Sequence, residues 1–208
     1  MDQSLSFFDE LNMQRWDDHR YYHHNRINQF LHFLSAICFL SSYVLIFINP
    51  VLAILIGWLG AMVLRQVGHF FFEPKIKDLS YDVSHEYKES VKVGYNLYRK
   101  IILLSLWGLS TLAIVVSPSL FGLLDITNGF LYNLAMTWLF VGLSALIFRS
   151  VHLFFIMGIQ SGFVWLVKIL TDPFHDIKIY YKSLHYIMKG EMYDQMTDWY
   201  DPSLVKNA

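Results

Sequence analysis

Nine histidines are the residues best equipped for chemistry in this 208-residue chain: His19, His23, His24, His32, His69, His85, His152, His175 and His185. Imidazole binds transition metals in its neutral form, and that form is available near physiological pH. A metal site needs several such rings brought together from separate stretches. The apolar runs that separate these histidines reverse direction at Asn49-Pro50 and at 125–128, and neither turn contains His, Lys or Arg. The histidines are therefore expected to collect on one side of whatever the apolar runs cross. A single cysteine, Cys38, rules out an internal disulfide and a cysteine-rich zinc site.

His32 and His69 are almost equidistant from Pro50 along the chain. In a helical hairpin, equal distance from the turn means equal depth, because each residue advances the same rise. Asn25, Asn28 and His32 are spaced i, i+3, i+7 and share one helix face; Gln66, His69 and Glu73 repeat that spacing. His69 and Glu73, at i and i+4, can serve one metal from one face. The metal candidates are accordingly His32 and His69, then His23 and His24 just upstream, and His152 beside Arg149 at the mouth of a second hairpin. A lone histidine at a membrane boundary more often caps a helix end. His85, His175 and His185 are read as solvated, and Asp172 and Asp176 beside His175 are explained as well by capping.

The elements that must position these groups are apolar helices. The chain is 55% hydrophobic and 17% aromatic, with mean hydropathy +0.37, too apolar for an ordinary soluble domain. A net charge of −1 gives no basis for binding nucleic acid. The first twenty residues are acidic and polar, unlike a cleavable signal peptide. The expected fold is all-α: an integral membrane helical bundle of about four spans in two hairpins, plus interfacial helices, forming a single membrane domain over 1–208. Its parts are an entry segment (1–26), a first hairpin (27–73), a polar segment (74–100), a second hairpin (101–149) and an apolar helix with a polar tail (150–208). The run 151–170 reads as a fifth span, a continuation of the fourth helix or an interfacial helix. Lys and Arg cluster before the first span, in 74–100 and in the tail, so an even number of spans and two cytoplasmic termini are expected. Mid-span positions are mostly apolar or small, which argues against a transporter, where polar groups sit at the midplane.

The string His19-Arg20-Tyr21-Tyr22-His23-His24 matches one histidine box of the membrane di-iron hydroxylases and desaturases, but no second such box follows. A closer likeness lies in His23, Asn28 and His32 within Tyr22–His32, followed by Gly68-His69-Phe70-Phe71-Phe72-Glu73 at the end of the second span. Together these resemble the two signatures of the 2-hydroxy fatty acid dioxygenases that shorten 2-hydroxy acids derived from phytosphingosine. The likeness covers about the first 75 residues. Arg26 stands where a proline is common, Ser35 where a glycine is usual, and Pro74-Lys75-Ile76-Lys77 replaces a basic Pro-Ala stretch. The resemblance implies a non-haem Fe(II) enzyme that uses O2 to remove one carbon from a 2-hydroxy fatty acid. It implies metal ligation by His23, His32 and His69, with His24 and His152 as further candidates. Glu73 is then a ligand or the group that orients one. Arg65 or Arg26 pairs with the substrate carboxylate, Asn28 contacts the substrate, and Tyr22 donates to bound oxygen. The other readings left by the sequence are a di-iron lipid hydroxylase and a non-enzymatic membrane protein. Oligomeric state is not legible.

Overall fold

The computed structural model describes residues 5–78 and 81–194. It is all-α, without a β-strand among those residues, and four of its helices are long and apolar enough to cross a membrane: Arg26–Leu45, Pro50–Phe71, Leu97–Val116 and Phe130–Ile156. They pair sequentially into two hairpins.

Three of the four spans start where the sequence provides a side-chain cap. Asn25 closes the first span's N-terminus by accepting from the backbone N–H groups of Ile27 and Asn28. Asn49 accepts from Leu52 N at 3.1 Å, and Pro50 occupies the first helical position, where its missing N–H costs nothing. Asn96 accepts from Arg99 N at 3.0 Å and opens the third span. The third span ends at Val116. The chain then turns through Leu120 and Phe121, both at positive φ, and restarts after Gly129. The fourth span runs past Arg149 to Ile156.

Residues 151–170 are divided between two helices. Gly158, at φ +96°, breaks the chain after the fourth span, and a separate closing helix covers Ile159–Tyr180. Buried Lys168, Asp172 and Asp176 deny that helix the composition of a crossing segment. It packs along the first and fourth spans and carries the entry helix, Phe7–Asp17, on its flank. Arg15 donates to Asp172 at 3.1 Å, and the Lys168 ammonium reaches Asp18 at 2.6 Å and Asp172 at 2.7 Å. After a short helix, Ser183–Met188, the chain returns so that Met192 O accepts from Arg26 N and Asp194 N donates to His24 O. The expected tail beyond 194 lies outside the described residues.

Spans one and two are pressed together by small residues, the membrane solution for close helix packing. Ser35 Oγ donates to Ala61 O at 2.8 Å. A Cβ on Gly68 would lie 2.2 Å from Asn28 Oδ1, so any other residue there must displace the buried Asn28 amide. The hairpins meet through tryptophan. Trp58 stacks on Trp107 with centroids 5.5 Å apart and donates to Trp138 O at 3.1 Å.

Candidate metal centre and apolar cavity

Three elements deliver one imidazole each. A π-helical turn, Asp18–Tyr22, ends the entry helix and presents His23. His32 comes from the second turn of the first span and His69 from the last turn of the second. The ring centroids are 4.1 Å apart for His23 and His32, 4.8 Å for His32 and His69, and 5.4 Å for His23 and His69. One nitrogen from each lies within 4.8 Å of the others. The equal depth read from the spacing around Pro50 is thus found in three dimensions.

The hydrogen bonds around the cluster leave nitrogens available. His69 Nδ1 pairs with Glu73 Oε1 at 2.5 Å, so Glu73 fixes that ring from behind. His23 Nδ1 pairs with the Tyr180 hydroxyl at 3.2 Å, while its Nε2 is buried with no partner in the chain. His32 is fully buried and neither of its nitrogens is paired. Buried polar atoms are nearly always hydrogen-bonded, and each left unpaired costs about 1–3 kcal/mol. A cation held by the three rings would satisfy orphaned nitrogens on two of them. Burial, with His32 and His69 adding to it, pushes His23 well below its ordinary pKa, so the ring is neutral and ligand-competent. Burial alone would raise the Glu73 carboxyl. His69, Lys92 and Lys100 outweigh it and hold Glu73 below the usual carboxylate range. The donor set suits a divalent transition metal with open positions.

Other expected site residues are placed differently. His24 turns its ring onto Tyr193, with centroids 5.6 Å apart, and its Nδ1 contacts Tyr21 O. His152 pairs with Arg149 and stacks on Phe148. Among the described residues, neither belongs to the cluster. Arg26 is engaged by Gln29 and Asp194, and Asn28 donates to Tyr22 O while facing Gly68. The Tyr22 hydroxyl contacts Lys88 O at 3.3 Å, under the Lys92 ammonium, and burial pushes its phenol up. His175, expected in solvent, lines the cavity described below; burial pulls it down to about 4. His185 is exposed, as expected. His19, of the upstream histidine box, holds the far side of the Tyr180 hydroxyl at 3.1 Å instead of joining the cluster.

Tyr180 is the residue that sequence reasoning missed. It is 1% exposed and its hydroxyl bridges His19 and His23 across more than 150 positions of chain. Its only sequence signal is an aromatic residue at the end of a helix.

The cluster stands at the head of a cavity of about 670 Å³, inside the size range of ligand sites. His23 and His69 open onto it, with Arg65, Gln66, Lys100 and Tyr180 nearby. Arg65 pairs with Asp176 through Nη2, while its Nε is buried without a partner. Burial pushes the Asp176 carboxyl above its ordinary value, against the pull of Arg65. Deeper, the walls are apolar: Phe39, Ile46, Ile54, Trp58, Leu139 and Leu143. No protein-family model, curated protein or solved structure shows a significant match to this chain.

Proposed function

We propose that this protein is a membrane-embedded, Fe(II)-dependent oxygenase that uses O2 to shorten a 2-hydroxy fatty acid by one carbon. The observation that carries the reading is a buried three-histidine cluster with orphaned nitrogens at the head of a largely apolar cavity. The likeness of the first 75 residues to 2-hydroxy fatty acid dioxygenases supplies the choice of metal and substrate. Bound there, Fe(II) supplies a site for O2 and for a chelating 2-hydroxy carboxylate. His23, His32 and His69 would hold it. Glu73 keeps the His69 ring oriented, with Lys92 and Lys100 fixing Glu73 in turn. Tyr180 orients His23. The unpaired Nε–H of Arg65 is suited to a carboxylate, since guanidinium recognises that group through several fixed donors. The entry helix, through Met13, Gln14 and Arg15, covers the polar end of the cavity and limits water there. Cleavage of the C1–C2 bond balances with O2 alone: the shorter acid forms, the carboxyl carbon leaves as carbon dioxide and the remaining oxygen as water.

One cluster among the described residues favours one metal per chain over the two of a di-iron hydroxylase. The distribution of Lys and Arg supports placing the histidine-bearing face and both termini in the cytoplasm.

The test is metal analysis of the purified protein, followed by O2 consumption with 2-hydroxypalmitate. About one iron per chain and substrate-dependent O2 uptake are expected. Two irons per chain would favour the di-iron reading, and iron-loaded protein that consumes no O2 would remove the substrate assignment.

A further inference from the structure

The cavity reaches much deeper than a polar head group needs. On the second span its lining starts at His69 and continues through Met62 and Gly57 to Ile54 and Ala53, next to the far turn. At 1.5 Å per residue, His69 to Ala53 covers at most about 24 Å, shortened somewhat by the π-helical stretch Ile56–Met62. One leaflet's share of the hydrocarbon core is about 15 Å, so the space passes the bilayer midplane. The facing wall is built by Leu139, Gly142 and Leu143 of the fourth span, with Ile46 of the first beside the floor.

The walls are rigid where width is set. Trp58 is held by its stack on Trp107 and by its hydrogen bond to Trp138 O. Gly142 faces that ring, and a Cβ there would meet Trp58 Cζ2 at 3.5 Å. A methyl group at this point would make ordinary contact with the indole, so the two walls stand one side chain apart here.

We propose that the cavity measures acyl-chain length: a single chain enters tail first, its polar head stays at the histidines, and Ala53 with Ile54 forms the floor that sets the longest tail accepted. This rests on the reading above that the head group is held at the cluster. A buried methylene contributes about fourfold in affinity. Affinity therefore climbs with chain length until the tail meets the floor, and then stops climbing.

The experiment measures equilibrium binding of 2-hydroxylauric, 2-hydroxypalmitic and 2-hydroxylignoceric acids to iron-loaded protein in nanodiscs, without O2 so that no turnover occurs. Wild-type protein is expected to bind the palmitic acid at least about tenfold more tightly than the lauric. Ala53→Phe raises the floor: the two longer acids weaken by about tenfold and the lauric acid is unchanged. Leu139→Phe narrows the lumen from the opposite wall and gives the same pattern if the first variant does not fold. Equal affinity for all three acids in the wild type, or an equal loss for all three in both variants, overturns the proposal. Iron content is measured on the same samples. Normal iron with a flat chain-length series sinks the length gauge alone, whereas a stepped series in protein that binds no iron keeps the gauge and removes the oxygenase reading.

Discussion

The two hairpins have similar length and hydropathy but different work. In the first, 33% and 28% of the most apolar windows of the two spans are buried inside the protein; in the second, both figures are 17%. The first hairpin is gripped by the closing helix, by the short helix Ser183–Met188 and by the returning chain at 191–194. The second turns Leu106, Leu109, Leu112, Val115 and Phe140 outward, as a lipid-facing wall does. The first brings its helices together through Ser35, Gly60 and Gly68, and its histidine-bearing end is rich in polar groups. The second holds apart and braces its helices with Trp107 and Trp138, whose Nε1 donates to Thr111 at 2.9 Å. Close approach is what lets imidazoles on neighbouring helices share an ion. Hydropathy alone does not separate these roles, because lipid and protein interior are equally apolar surroundings for Leu or Ile.

Removing ligands should break the comparison most completely. His32→Ala and His69→Ala, made separately, should each bring iron content to background, while His152→Ala on the second hairpin keeps the wild-type content. Metal analysis of the three purified variants decides it, and full iron in both first-hairpin variants would eliminate the site.

Next in size is the polar latch on the first hairpin's histidine-bearing side. Arg20 donates twice to Asp78 at 2.7 Å, with Lys88 at 3.2 Å. Breaking one partner of a buried ion pair costs about 3–5 kcal/mol, so Asp78→Asn should lower thermal stability by roughly that amount. Burial raises the Asp78 carboxyl, but Arg20 and Lys88 outweigh it and bring it from 3.8 to about 2. Because the folded-state value is the lower one, this stabilisation is complete above about pH 4 to 5 and fades as pH falls towards 2. Melting curves against pH should show the wild type and Asp78→Asn converging at the acid end; a constant gap throughout would contradict the assignment.

Glu73→Gln keeps the shape of the His69 contact but removes its charge. Metal affinity should fall by about 10–100-fold, the usual cost of losing the group behind a ligand. A chelator competition titration reads this directly, and unchanged affinity would show that Glu73 has no hold on the ring.

The smallest contrast is the most specific to packing. Gly68→Ala places a methyl group 2.2 Å from Asn28 Oδ1 and should cost about 1–3 kcal/mol. Gly108→Ala, in the second hairpin, meets nothing within 4 Å and should be neutral or stabilising by up to about 1 kcal/mol. Equal effects in thermal unfolding would mean that the hairpins are not packed differently.

Much of the centre was legible because it depends on one-dimensional quantities. Depth follows from rise per residue, so His32 and His69 could be matched through Pro50. Face follows from helical period, so His69 and Glu73 could be set side by side, with ligation by Glu73 or orientation of the ring both left open. What failed was direction across irregular backbone. His24 follows His23 immediately, yet the capping residue Asn25, in extended conformation, lies between them and the helix, and the two rings part. His152 was judged by its neighbour Arg149, and that neighbour is its partner.

By itself, the sequence determined four apolar helices in two hairpins, the face on which the histidines gather and the level at which two of them meet. These follow from local period, caps and turn residues, which act over a few positions. The tertiary structure alone decided that the closing helix would dock on the first span and bring Tyr180 to His23. It likewise decided that a lumen would stay open between the hairpins. Both outcomes depend on which surfaces of separate helices fit one another, and that complementarity has no period along the chain.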